Sequence, residues 1–126
     1  MSPLVLLIED NEPNRHLATF LLERIGCAVR HAGDGARGLA LAGELRPALV
    51  VLDIQMPEMD GYEVAARLRA DPGTAAIPIL VVSSYAQTGD RQRARALGLN
   101  DYLEKPFEPD DFIARVQRLL PSSASP

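Results

Sequence analysis

The chain has 126 residues, 47% apolar and 24% charged, with 13 basic against 17 acidic side chains and a net charge of −4. That length and apolar content suit one domain with a substantial core, and they exclude both a disordered chain and a second domain of ordinary size. A pI near 5.1 speaks against broad electrostatic binding of nucleic acid, the apolar runs fall far short of the ~20 residues of a membrane span, and one cysteine, Cys27, cannot form an internal disulfide. The start, MSPLVLLIEDN, has no basic region ahead of its apolar run, so a cytoplasmic protein is expected.

The first apolar segment, 4–8 (LVLLI), reads as a strand ended by Glu9-Asp10. A helix is expected over 13–25, where Leu17, Leu21 and Ile25 recur at four-residue spacing with Ala18 and Leu22 beside them. Asp10 or Asn11 can cap it, Pro13 suits its first turn, and Gly26 ends it. Segment 28–32 is a second strand, placed at a sheet edge because it carries Arg30 and His31. After Gly33-Asp34-Gly35 comes a weaker helix, 36–45, which Pro47 prevents from continuing. Segments 48–52 and 79–82 are almost wholly apolar, as strands covered on both faces of a parallel sheet should be. They lead into Asp53 and Ser83. Helices are expected at 61–70 and 88–97, a short strand at Tyr102 and Leu103, and a last helix marked by Phe112, Ile113, Val116 and Leu120. Asp110 and Asp111 open that helix, and Arg115 and Arg118 lie toward its end, in favour with its dipole. PSSASP, 121–126, has linker composition and is expected to be a disordered tail behind a domain of residues 1–120.

Strand and helix alternate five times, which implies an α/β fold: an open, parallel, five-stranded sheet with right-handed crossovers and helices on both faces. Ligands in such sheets bind beyond the carboxyl ends of the strands. There the chain places Glu9 and Asp10, then Asp53, then Ser83, then Lys105. If the first and third strands are neighbours, three carboxylates converge, and a cation is needed to keep them ionised together. Magnesium suits such a set, being hard and content with one or two carboxylates plus water and phosphate oxygens. Lys105 is the single lysine beside twelve arginines, and a compact ammonium serves as a point charge for phosphate.

With these residues in place, the chain resembles the response-regulator receiver domains of bacterial two-component signalling over residues 4–120. The resemblance rests on Glu9-Asp10-Asn11, Asp53 followed by IQMPEMDG, Ser83 at the end of the fourth strand, and Lys105-Pro106-Phe107. It implies a flavodoxin-like (βα)5 fold with strand order 2-1-3-4-5. It also implies that Asp53 accepts a phosphoryl group from a phosphohistidine on a histidine kinase or histidine phosphotransfer protein, as in a phosphorelay. Magnesium would be held by Asp10, Asp53 and the backbone carbonyl of Gln55, with Glu9 acting through water. Lys105 and the Ser83 hydroxyl would each take a phosphoryl oxygen, and the Lys105–Pro106 peptide is cis in the family. Ser83 and Tyr102 would form the switch, remodelling a protein-binding face made by the fourth helix, the last strand and the last helix, near Arg91, Arg93 and Arg95. Gln55 and Tyr85 would flank the water of autodephosphorylation, where a bulky Tyr85 obstructs it. The function expected is a phosphorylation-dependent binding module, not a turnover enzyme, acting on an unknown downstream protein with no nucleic-acid or membrane ligand.

Three other readings compete. Gly33, Gly35 and Gly38 fit the dinucleotide pattern GxGxxG, with Asp53 twenty residues on, but that loop should follow a central apolar strand. An aspartyl-nucleophile phosphatase uses a second acid two residues beyond its nucleophile, where this chain has Gln55. Finally, the domain can be the amino-terminal receiver of a longer regulator or hybrid kinase, with PSSASP as its linker.

Overall fold

In the computed structural model, which describes residues 2–54, 56, 59–83, 92 and 95–120, side chains alternate along five parallel strands and build a core on each side of one sheet. The strands are β1 (Leu4–Ile8), β2 (Ala28–Ala32), β3 (Leu49–Asp53), β4 (Ile79–Ser83) and β5 (Asp101–Glu104), in spatial order β2-β1-β3-β4-β5. The expected order 2-1-3-4-5 and the edge position of β2 are both found. Among the described residues four helices flank the sheet: α1 (Glu12–Arg24), α2 (Gly35–Leu45), α3 (Gly61–Ala70) and α4 (Pro109–Leu119). The helix expected at 88–97 lies largely outside the described residues, as do Gln55, Tyr85, Arg91, Arg93 and the 121–126 tail.

The period of two sorts the core. Leu6, Ile8, Val50, Leu52, Val81 and Tyr102 pack under α2 and α3, while Val5, Leu7, Val51, Val82, Leu103 and Phe112 lie on the side of α1 and α4. Central strands buried on both faces explain why 49–53 and 79–83 show no polar alternation. Several boundaries shift by a residue from expectation: α1 spans Glu12–Arg24, α2 starts at Gly35, β3 starts at Leu49 and β5 spans Asp101–Glu104. β3 and β4 each run one residue further, because the Asp53–Val82 and Ser83–Glu104 pairs continue the ladder. Asp53 and Ser83 are therefore the last residues of their strands.

Short polar side chains start three helices. Asn11 accepts from the Asn14 amide at 2.9 Å, Asp34 from Arg37 at 2.8 Å and Asp60 from Glu63 at 2.9 Å. Gly26, at φ 91°, lets the chain leave α1. The buried stripe of α1 is Ala18, Leu21 and Leu22; Leu17, expected inside, is 45% exposed. Leu17 lies in the amino-terminal half of α1, near the carboxyl ends of the strands, and there it borders an open cleft instead of the core. Cys27 is buried as expected, and burial pushes its thiol pKa up.

The glycines of the GxGxxG stretch serve packing. β2 is an edge strand, so the loop after it has no central position in the sheet. A Cβ on Gly38 would stand 2.5 Å from Ile8 Cδ1, and one on Gly35 would stand 2.8 Å from Val64 Cγ2. Neither Gly33 nor Gly35 takes a positive φ, so close packing rather than backbone freedom calls for glycine at Gly35. The dinucleotide reading is corrected accordingly.

Arg46, which caps α2, is the one non-glycine residue with positive φ (47°) among the described residues. Left-handed backbone costs an ordinary residue ~1 kcal/mol, and glycine avoids it. Arg46→Gly is expected to raise stability by a few tenths to ~1 kcal/mol in urea denaturation, the unfolded-state entropy of glycine offsetting part of the gain.

Candidate functional site

The same alternation that builds the core assembles the site. Glu9 continues the β1 face of Val5 and Leu7, Asp53 the β3 face of Val51, and Lys105 the β5 face of Leu103, all on the α1–α4 side. Because Ile8 is in register with Leu52, Glu9 and Asp53 leave adjacent strands at the same level. Glu9, Asp10 and Asp53 each offer a carboxylate oxygen within 4.8 Å of the others. Glu9 and Asp53 are 4% and 5% exposed, and Asp10 is exposed at the rim.

Lys105 Nζ lies 2.8 Å from Glu9 Oε1 and 3.9 Å from Asp53 Oδ1. Glu9 thus contacts the lysine directly, a role beyond the water-mediated one implied by the resemblance, because the long Lys105 side chain reaches back over the carboxyl ends of β4 and β3 to meet it. Burial disfavours the Glu9 carboxylate. Hydrogen bonding to Asp53 and Lys105, the charge of Lys105 and the Asn11 amide more than compensate, so its pKa falls below the ordinary 4.5. The Asn11 amide is 3.5 Å from Glu9 Oε2.

The backbone of this corner is held from several sides. The Glu9 amide donates to Ala32 O at 3.0 Å, and Glu9 O accepts from Arg15 Nη1 at 3.3 Å. The Lys105 amide donates to Ser83 O at 2.7 Å, tying the end of β4 to the residue after β5, and the Lys105–Pro106 peptide is cis. Gly61, at the start of α3, donates its amide to Ile54 O at 2.9 Å. Sequence reasoning passed over Arg15 and Gly61. The only local signal was Gly61 at the end of IQMPEMDG; Arg15 reads as one more arginine of a solvated helix.

Ser83 is 1% exposed and follows Ile79 and Val81 in the alternation toward the α2–α3 side, where Val81 pairs with Tyr102. Tyr102 is 6% exposed and occupies an inward position in the core. Beside Asp53 and Lys105 a cavity of about 430 Å³ extends between α1 and α4, with Leu17, Phe107 and Phe112 among its lining. The ring of Phe107 stacks on that of Phe112, centroids 5.0 Å apart.

This arrangement joins hard oxygen donors, a buried aspartate and one ammonium. The donor set fits magnesium: three carboxylates within reach of one ion, two of them taken out of bulk water and one left at the open rim. No described helix is long and apolar enough to cross a membrane.

Comparison with known proteins agrees with this chemistry. The profile of the response regulator receiver domain matches residues 5–117. A DNA-binding dual master transcriptional regulator from Synechocystis is 41% identical over 118 residues, covering 94% of this chain and 49% of that protein. The chain thus spans about half the length of that relative. The polar-differentiation response regulator of Brucella anthropi is 37% identical over 120 residues, covering 95% of this chain and 98% of the relative. Among solved structures, the receiver domain of a sensor histidine kinase from Pseudomonas aeruginosa, with a magnesium ion coordinated in its active-site cleft, is similar at TM-score 0.86 and 30% identity. That match covers 94% of this chain and 98% of the other.

Proposed function

Because the chain belongs to the response regulator receiver domain family, we propose that Asp53 is its phosphoacceptor and that the domain is a phosphorylation-dependent binding module. The observation that carries this reading is the clustering of Glu9, Asp10 and Asp53 oxygens within 4.8 Å, with Lys105 Nζ 3.9 Å from Asp53. The donor is a phosphohistidine on a histidine kinase or phosphotransfer protein in the cytoplasm. An Asp53 carboxylate oxygen attacks phosphorus, the P–N bond breaks, and its electron pair returns to the imidazole. Asp10 and Asp53 would hold magnesium, with Glu9 behind them, and the resemblance adds the carbonyl of Gln55, a residue outside the described ones. When bound, the ion offsets negative charge on the phosphoryl oxygens. Lys105, already poised beside Asp53, pairs with one phosphoryl oxygen, and the Ser83 hydroxyl donates to another.

The acyl phosphate is then read as shape. Ser83 and Tyr102 are the switch pair, and the surface they remodel includes β5 and α4, where an unidentified protein docks. With Gln55 where a phosphatase has its second acid, turnover is slow, and the domain acts as a switch in place of a catalyst. The 49% coverage of the Synechocystis relative favours a second arrangement, in which the same domain heads a longer regulator. The chemistry at Asp53 is common to both.

Intact mass after incubation with acetyl phosphate and magnesium tests the reading. One added phosphoryl group is expected on the unaltered chain and none on Asp53→Ala or in EDTA. An unaltered chain that takes no phosphoryl group from acetyl phosphate or from a cognate phosphohistidine donor would refute it.

A further inference from the structure

Arg69, in the last turn of α3, is half-buried and spends its guanidinium on neutral acceptors. Nη1 donates to Ala75 O at 3.0 Å and Ile77 O at 2.8 Å, and Nη2 donates to Gly98 O at 2.9 Å and Asn100 Oδ1 at 3.1 Å. Among the described residues no carboxylate pairs with it, unlike Arg67 and Arg115. Burial pulls its pKa below the ordinary value. Asn100 Oδ1 also accepts from the Ile79 amide at 2.8 Å, and the Asn100 amide donates to Ile79 O at 3.0 Å. The turn at Gly98, where φ is +71°, is therefore tied both to the end of α3 and to the first residue of β4. Leu97 and Leu99 on either side of Gly98 pack on the cluster that contains Tyr102. Asn100 directly precedes β5, the strand that carries Tyr102 and leads to Lys105.

We infer that Arg69 and Asn100 form an anchor that locks the amino ends of β4 and β5 together, so that phosphorylation at Asp53 moves side chains at the strands' carboxyl ends without sliding β5 along β4. The inference rests on the proposed phosphoacceptor role. The anchor lies at the end of the sheet opposite the site, so Arg69 is a positioning residue that touches none of the reacting groups. Its planar fork matters, because a lysine ammonium cannot reach two carbonyls on one side and the Gly98 carbonyl and Asn100 on the other.

Amide hydrogen exchange of the peptide covering residues 98–104 tests this, with and without acetyl phosphate and magnesium, and labelling stoichiometry is read by mass in the same samples. In the unaltered chain this peptide is expected to exchange equally in both states. In Arg69→Lys and Asn100→Ala its exchange should rise about tenfold, and phosphorylation should now change it further, while Asp53 is still labelled. Asn100→Asp keeps the accepting oxygen and is expected to behave like the unaltered chain. A loss of global stability alone would raise exchange in every peptide and add no phosphorylation dependence to this one; that outcome would overturn the anchor. So would a phosphorylation-dependent change of the 98–104 peptide in the unaltered chain. Failure of the unaltered chain to label at all would overturn the reading of Asp53, and is distinguished by mass before any exchange is compared.

Discussion

Lys105→Met is expected to cost about 3 kcal/mol of stability at pH 7 without magnesium, because it strands two buried carboxylates with no cation. Glu9 and Asp53 are 4% and 5% exposed, and Lys105 Nζ is 2.8 Å from one and 3.9 Å from the other. The pH dependence should change sign. In the unaltered chain the Glu9 pKa lies below 4.5 despite burial. Its contribution to stability is therefore fully present above the unfolded-state pKa, and is lost as pH falls through the folded value. Without Lys105, burial is opposed mainly by the hydrogen bond to Asp53, and the pair retains a proton. A raised folded-state pKa makes ionisation at neutral pH destabilising, and acid relieves it. Urea denaturation in EDTA at pH 7 and pH 5 is expected to show Lys105→Met gaining stability on acidification while the unaltered chain does not. Equal losses at both pH values would mean that the ammonium is not what compensates the acids. Labelling of Asp53 by acetyl phosphate should also slow by roughly a hundredfold or more, the usual scale for removing one group that stabilises charge in a transition state.

The second large effect comes from one hydrogen atom replaced by a methyl. A Cβ on Gly61 would stand 2.6 Å from Asp53 O and 2.6 Å from Ile54 Cα, both backbone atoms that cannot rotate away. Either α3 withdraws from β3 or the peptide after Asp53 shifts. Gly61→Ala is expected to destabilise by about 3 kcal/mol, and to slow labelling by about tenfold through displacement of Asp53. Gly43 provides the control. It sits in α2 with nothing within 4 Å of its would-be Cβ, so Gly43→Ala should stabilise by roughly 0.5–1 kcal/mol through helix propensity alone. Unfolding curves for the two variants should move in opposite directions. A Gly61→Ala chain as stable as its parent would show that the α3–β3 contact can relax.

Local chemistry explains why so much of the fold was legible. Strands at 4–8 and 28–32 were found at their expected bounds, since the first is an apolar run closed by Glu9-Asp10 and the second is set off by Gly26 before it and Gly33-Asp34-Gly35 after it. Capping by Asn11 and the end of α1 at Gly26 were equally readable, because they depend on neighbours in sequence. Leu17 was misassigned because periodicity describes a stripe along the whole helix, whereas burial also requires something to pack against at each turn. Arg69 and Arg15 were opaque for a related reason. Their acceptors, such as Gly98 O and Glu9 O, are backbone atoms that carry no residue identity.

By itself the sequence determined the alternation of strands and helices, the edge character of β2, and the set of polar residues that leave the carboxyl ends of the strands. Those features arise from hydrophobic period, capping and turn chemistry, all acting over a few residues. Only the tertiary structure decided which of those polar residues meet. Glu9, Asp53 and Lys105 are far apart in the chain, and they converge because β1, β3, β4 and β5 stack in that order and because strand alternation turns all three to the α1–α4 side. The direct pairing of Glu9 with Lys105, the close approach of Gly61 to Asp53 and the hold of Arg69 on Gly98 and Asn100 arise in the same way. Each is a contact between chain-distant or backbone groups, set by strand order and register, which no local pattern encodes.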